Sequence, residues 1–299
     1  MDKNVKKPDF VDFINYDYEA RELFYNFIDA TKSGMDVAGW CQKIYPIIDD
    51  IVLDRYYDQF SDSLYCGKKV YRARIIEPED DNNSDTGIGK TKDGKYHGYN
   101  DVCSREPVIG IAGEGRNNIA GSSYLYVASN LETACVEVKP LLTEYISVAE
   151  FEISKDLNII DFSKNKSFYT IDYKKYGLNL KVFISLLMRR FSEPVSGVNA
   201  YKATQLISDY IRKAGVDGIA YNSFLSPGGV NYTIFNCHPN NVKFCGSKIL
   251  IHKQAMHSFW DLNDNKAVIS NEGHNLMDYN IDIANKHKNS LNFRLKTID

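Results

Sequence analysis

The chain has 299 residues, of which 43% are apolar and 13% aromatic, enough to bury a sizeable core in one large domain with a smaller appendage. Its formal net charge of -3, with both signs interspersed among 25% charged residues, gives no basic field for a phosphate backbone, which excludes nucleic acid as the first partner. The polar stretch Met1 to Lys7 lacks the apolar core of a signal peptide, and no later stretch reaches the ~18 apolar residues that span a bilayer. No membrane contact and a cytoplasmic location are therefore expected. The six cysteines (Cys41, Cys66, Cys103, Cys135, Cys237 and Cys245) are scattered singly, without metal-site pairing, and read as reduced, mostly buried residues.

The first elements are helical. Leu23, Phe24, Phe27 and Ile28 share one helix face, with Gly34 as a stop. A second run holds Trp40, Ile44, Ile47, Ile48, Ile51 and Val52, with Pro46 as a kink or a new first turn. Together they predict a small helical N-terminal unit over residues 1–66, a structural cap or a partner-docking surface. Lys69 to Ile76 reads as a strand with Arg72 and Arg74 on one face. The polar stretch from Glu77 to Pro107 has no apolar period and reads as one long loop.

Ser123 to Ser129 reads as a strand, and Asn130 is placed to cap a helix through Leu131, Ala134, Cys135 and Val138. Strands are expected around Ser147 to Ile153 and Leu157 to Phe162. Helices are expected from Leu180 to Phe191, before Pro194, and from Ala203 to Ala214, stopped by Gly215. Three strand-like runs follow: Gly218 to Ser223, Val230 to Phe235 and Val242 to Ile251. The pattern is α+β, with a main domain over residues 67–251 and a polar, peripheral extension over 252–299.

Several motifs can be set aside. Gly87-Ile88-Gly89-Lys90-Thr91 resembles the end of a phosphate-binding loop, but Ser84 stands where the first glycine belongs and no apolar strand precedes it. Gly110, Gly113 and Gly115 have the wrong order for a dinucleotide fingerprint. His252 and His257 lack the spacing and carboxylate of a zinc-protease helix, and no serine sits in a nucleophile elbow.

What survives is Arg72 and Arg74 on one strand, Gly115-Arg116-Asn117-Asn118, Tyr124-Leu125-Tyr126 leading to Glu137, and Tyr221-Asn222-Ser223. The stretch GEGRNNIAGSSYLYVASNLETACVEVKP, followed by TQLISDYIRKAGVDGIAYNS and GGVNYTIF, resembles the signature blocks of the RES-domain family over residues 69 to 236. The likeness is closest to its larger members with a helical N-terminal region.

That resemblance implies a mixed β core with flanking helices, similar to ADP-ribosyltransferases, and an enzyme that degrades NAD by hydrolysis or phosphorolysis. It also implies a growth-arresting toxin restrained by an antitoxin or triggered in defence; many members form dimers or larger assemblies with their antitoxins, and a homo-oligomer is one of the states open to this chain. In the family's pattern Arg72, Glu137 and Ser223 match the arginine, glutamate and serine, with Arg74 a competitor to Arg72, since Ala73 stands where some members have an aromatic. Arg116 matches the second arginine and Tyr126 the strand tyrosine.

These residue types suit the implied chemistry. Guanidinium groups bind a pyrophosphate bidentately, which fits Arg72 and Arg116. A fixed carboxylate, Glu137, would stabilise the positive charge that builds on the ribose as the nicotinamide bond breaks. Tyr126 could stack on nicotinamide and Ser223 hydrogen-bond the amide or ribose, with Arg74, Asn118 and Tyr221 as further substrate contacts. NAD is then a substrate rather than a cofactor, and no metal is required. The alternatives are a protein mono-ADP-ribosyltransferase that uses the same site, and a catalytically silent nucleotide-binding or interaction module.

Overall fold

The computed structural model describes residues 10–50, 61–77, 84–90, 94–163, 176–253, 259–261 and 266–268. In chain order its helices are α1 (Phe10–Ser33), α2 (Val37–Asp49), α3 (Asp101–Ser104), α4 (Leu131–Glu137), α5 (Leu180–Ser192) and α6 (Lys202–Lys213). The strands are β1 (Ser61–Leu64), β2 (Lys69–Ile75), β3 (Gly89–Lys90), β4 (Tyr96–His97), β5 (Leu125–Ala128), β6 (Tyr145–Ile153), β7 (Leu157–Asp161), β8 (Gly218–Asn222), β9 (Val230–Ile234), β10 (Val242–Ile251), β11 (Phe259–Asp261) and β12 (Lys266–Val268). The fold is α+β, as the hydrophobic patterning predicts. Among the described residues no helix is long and apolar enough to cross a membrane.

The chain divides into two compact units, neither contiguous in sequence. The first comprises Met1–Lys68, Glu106–Tyr126 and Ile153–Asn241; the second comprises Lys69–Arg105, Val127–Glu152 and Val242–Asp299.

In the first unit, Ala20, Phe24, Phe27 and Ile28 recur at helical spacing on α1 and are buried in one core with Ile44, Ile47 and Ile48 of α2 and Phe183, Leu187 and Phe191 of α5. The N-terminal helices thus share their core with the later ones. Gly34, at φ 75°, ends α1 in the left-handed conformation that a β-carbon disfavours. Pro46 lies inside α2, while Ile51 and Val52 of the predicted run fall outside the described residues. Asn179 caps α5 by accepting the amides of Lys181 and Val182 and donates to Asp17 on α1.

The sheet of this unit is mixed: β7 pairs with β1 antiparallel and β8 parallel, and β8 pairs with β9 antiparallel. The parallel β7 to β8 step needs a long crossover, and α5 and α6 occupy that interval. Asp217 fastens one end of β8 to its neighbours. Its carboxylate accepts the Asn158 amide at 2.9 Å and the Asn236 side chain at 3.0 Å, and its carbonyl accepts the Phe235 amide at 2.8 Å. Gly218 follows because a β-carbon there would lie 2.7 Å from the Thr233 carbonyl.

In the second unit β2 is flanked by β5, with Tyr71 opposite Ala128, and by β6 along its whole length, with β10 beyond β6. Helix α4, capped by Asn130 accepting the Thr133 amide at 2.8 Å, packs on β2 over a small core of Ala73, Ala128, Ala134, Ile146 and Val148. The stretch predicted as one loop, Glu77 to Pro107, contains β3, β4 and α3 as well as a 3-10 turn at Ser84–Thr86. Elements of two to four residues are too short to show an apolar period, so pattern reading could not detect them. Gly87 to Lys90 runs into β3 rather than opening a helix, unlike a phosphate-binding loop.

Candidate functional site

In the first unit the Gly-Arg-Asn-Asn turn is closed on itself. The Tyr126 hydroxyl donates to Asn118 Oδ1 at 2.7 Å and accepts the Asn117 amide at 2.9 Å. Asn118 Nδ2 reaches the carbonyls of Gly113 at 2.9 Å, Ser122 at 2.8 Å and Ile119 at 3.2 Å, while its own carbonyl accepts the Gly115 amide at 3.0 Å. Gly115 has to be glycine, since a β-carbon would sit 2.3 Å from Asn118 Oδ1 and 2.9 Å from the Tyr126 hydroxyl. The polar atoms of Asn118 and Tyr126, residues that the sequence offers as substrate contacts, are bonded within the turn and hold it. Burial, followed by the neighbouring Tyr221, keeps the Tyr126 phenol protonated well above its ordinary range.

Arg116 projects from this turn. Its Nη1 donates to the carbonyls of Phe191 at 2.9 Å and Glu193 at 2.5 Å, satisfying the orphan acceptors at the end of α5. The guanidinium lies 5.2 Å from the ring centroid of Tyr201 and 5.8 Å from that of Tyr221. Among the described residues no acceptor is bonded to its Nε or Nη2. Burial, and then the charge of Arg116, lower the proton affinity of nearby Arg190. Tyr221, 4% exposed, is a core residue beneath Arg116. Ser223 lies just past β8, where its hydroxyl accepts the amides of Ser226 at 2.9 Å and Leu225 at 3.2 Å and so shapes the turn to β9.

In the second unit Arg72 Nη1 donates to the carbonyls of Ser104 at 2.8 Å and Arg105 at 2.6 Å, at the end of α3. Arg74 is exposed, donates to the Cys103 carbonyl and stacks its guanidinium 4.6 Å from the Tyr99 ring centroid. The two arginines differ in environment: Arg72 is part-buried and spans two carbonyls, whereas Arg74 lies on the surface. Glu137, half-buried, is the last residue of α4 and therefore belongs to the helix packed on the strand of Arg72. The structure thus joins Arg116, Asn118, Tyr126 and Tyr221 within one unit. It places Arg72, Arg74 and Glu137 on neighbouring elements of the other.

Sequence reading missed several residues of the first unit. Thr204 and Gln205 on α6 reach the backbone of the turn, and Asn117 Nδ2 donates to Thr233 Oγ1 at 2.7 Å. All four are buried. Thr204 and Gln205 sit beside Ala203 and Ile207 on a helix whose apolar period was plain, and nothing in that period says that the polar pair is buried too.

No curated protein matches the chain. Among solved structures one similar chain comes from "Crystal structure of the M.tuberculosis MbcT-MbcA toxin-antitoxin complex", at 11% identity over 70% of this chain and 93% of that one, with a TM-score of 0.36. That likeness is too slight to support either fold or function. The profile of the RES domain family matches residues 99–250, half of the 299-residue chain, and spans the closed turn, Tyr126, Glu137 and the β8 to β9 turn, while β2 with its arginines precedes the match. The chain belongs to the RES-domain family.

Proposed function

We propose that the protein cleaves the nicotinamide to ribose bond of NAD. The observation that carries this reading is the RES-domain match through the Gly-Arg turn and the Glu137 helix. The packing of that helix on the strand bearing Arg72 supports it. In the reaction the glycosidic bond breaks and its electron pair leaves on the nicotinamide nitrogen, which loses its positive charge. Glu137 stabilises the cationic ribose carbon, and water or phosphate then bonds to that carbon, a water acceptor releasing its extra proton to solvent. Guanidinium chemistry suits Arg72 and the remaining donors of Arg116 to the pyrophosphate, and the family's pattern gives Ser223 a contact with the substrate amide or ribose. In this scheme the protein needs no metal, and growth arrest through loss of NAD, relieved by a partner protein, is its physiological outcome.

The test is nicotinamide release by the purified chain, with and without inorganic phosphate, beside Glu137→Gln. Release that falls by about 100-fold or more in a folded Glu137→Gln protein is expected, the loss typical of removing a group that stabilises transition-state charge. Phosphate dependence names the acceptor. Intact NAD with wild type under every condition would overturn the reading, and transfer of label to protein would replace it with protein ADP-ribosylation.

A further inference from the structure

The turn that presents Arg116 is held from behind by two residues of α6. Thr204 Oγ1 donates to the Arg116 carbonyl at 2.5 Å and shares its single proton with the Tyr201 carbonyl at 2.9 Å. Gln205 Nε2 uses its two protons on the Gly115 carbonyl at 2.8 Å and on Glu114 Oε1 at 2.8 Å. Thr204 is 0% and Gln205 1% exposed, so neither bond competes with water. The carbonyls of Gly115 and Arg116 bracket the Arg116 α-carbon. Fixing both fixes the direction in which that side chain leaves the backbone. Its guanidinium then bridges from this turn to the end of α5, so three elements meet at one residue.

We infer that Thr204 and Gln205 are positioning residues that set the Arg116 guanidinium for NAD. This rests on the reading that Arg116 binds the NAD pyrophosphate. A donor held in place before the substrate arrives gives up little entropy on binding, and a displacement of about 1 Å weakens such a contact severely. The buried polar pair on α6 is therefore a determinant of substrate affinity, although it touches no substrate.

The experiment compares Thr204→Val, which keeps the shape and loses the hydroxyl, with Thr204→Ser, which keeps the hydroxyl. In steady-state NAD cleavage, Thr204→Val raises KM about tenfold with kcat within about twofold, and Thr204→Ser restores the wild-type KM, the pattern of lost ground-state binding. A purely structural role would lower the melting temperature of Thr204→Val and leave KM at the wild-type value; that result overturns the inference. If Thr204→Val does not fold, Gln205→Met, which keeps chain length and loses both donors, carries the same comparison. Should wild type leave NAD intact, the proposed function fails, and hydrogen exchange decides the positioning. Faster exchange of the Gly115 and Asn117 amides in Thr204→Val than in Thr204→Ser shows that Thr204 holds the turn, and equal rates show that it does not.

Discussion

Tyr126 and Asn118 close the Gly-Arg-Asn-Asn turn on itself: a phenol proton is given to an amide oxygen at 2.7 Å by a hydroxyl that simultaneously accepts the Asn117 amide. Tyr126→Phe leaves both groups without their partner at a part-buried site, which costs about 1–3 kcal/mol. A lower urea midpoint at unchanged slope is the expected result, and an unchanged midpoint would show that the turn does not depend on this link.

Two phenols, Tyr126 and the part-buried Tyr210 of α6, set an alkaline limit. Burial raises Tyr126 above its ordinary value, and burial followed by hydrogen bonding to Asp49 pushes Tyr210 up to about 12. A raised folded-state pKa favours the protonated phenol, so the stabilisation is whole below about pH 10, where an unfolded tyrosine ionises, and is lost as pH climbs through the folded values. Melting temperatures measured from pH 8 to 12 are expected to fall above about pH 10, and Tyr210→Phe should flatten part of that fall. A curve that Tyr210→Phe leaves unchanged would remove Tyr210 from the account.

Arg72 and Arg74 make different predictions. Arg72 donates both protons of Nη1 to the carbonyls of Ser104 and Arg105 from a part-buried position, and the lysine nitrogen, one bond nearer the backbone, falls short of them. Arg72→Lys is expected to lose about 1–2 kcal/mol of stability together with NAD cleavage, whereas exposed Arg74→Lys changes stability by less than about 0.5 kcal/mol. Thermal melts and nicotinamide release on both variants decide which arginine the family's pattern selects.

Asp217, within the Gly-x-Asp-Gly block, serves the fold rather than the chemistry. Its carboxylate joins the start of β7 to the segment after β9. Asp217→Ala removes two hydrogen bonds and should lower the urea midpoint by the equivalent of about 1–3 kcal/mol, while the KM for NAD of the folded fraction stays at the wild-type value. A changed KM would move Asp217 into the site.

The cysteines provide a test of burial. Cys237 is 8% exposed, and burial, reinforced by the Glu106 carboxylate, pushes its thiol up to about 12, whereas Cys66 is exposed. Alkylation by iodoacetamide at pH 8, read by peptide mass, should label Cys66 within minutes and leave Cys237 unmodified until the chain is unfolded, because the thiolate is the nucleophile. Equal labelling would contradict the buried Glu106 to Cys237 contact.

Much of the fold was legible from local pattern. The α4 cap at Asn130, the stop of α6 before Gly215 and the span of β10 all lie where spacing and capping residues put them. Those features depend on neighbours within a few positions, which a sequence displays. The short strands β3 and β4 were not legible, because each pairs only with the other and neither is long enough to alternate.

The candidate site divides along the same line. The sequence by itself determined the α+β class, the longer helices and strands, and the family to which the spaced blocks belong, but not β1, β3, β4 or α3. Only the tertiary structure decided where the named side chains lie: Asn118 and Tyr126 face into their own turn, Tyr221 lies in the core, and Thr204 and Gln205 reach across from α6. A hydrogen bond between residues about ninety positions apart leaves no periodic trace in the chain, since its partners are chosen by packing and not by spacing.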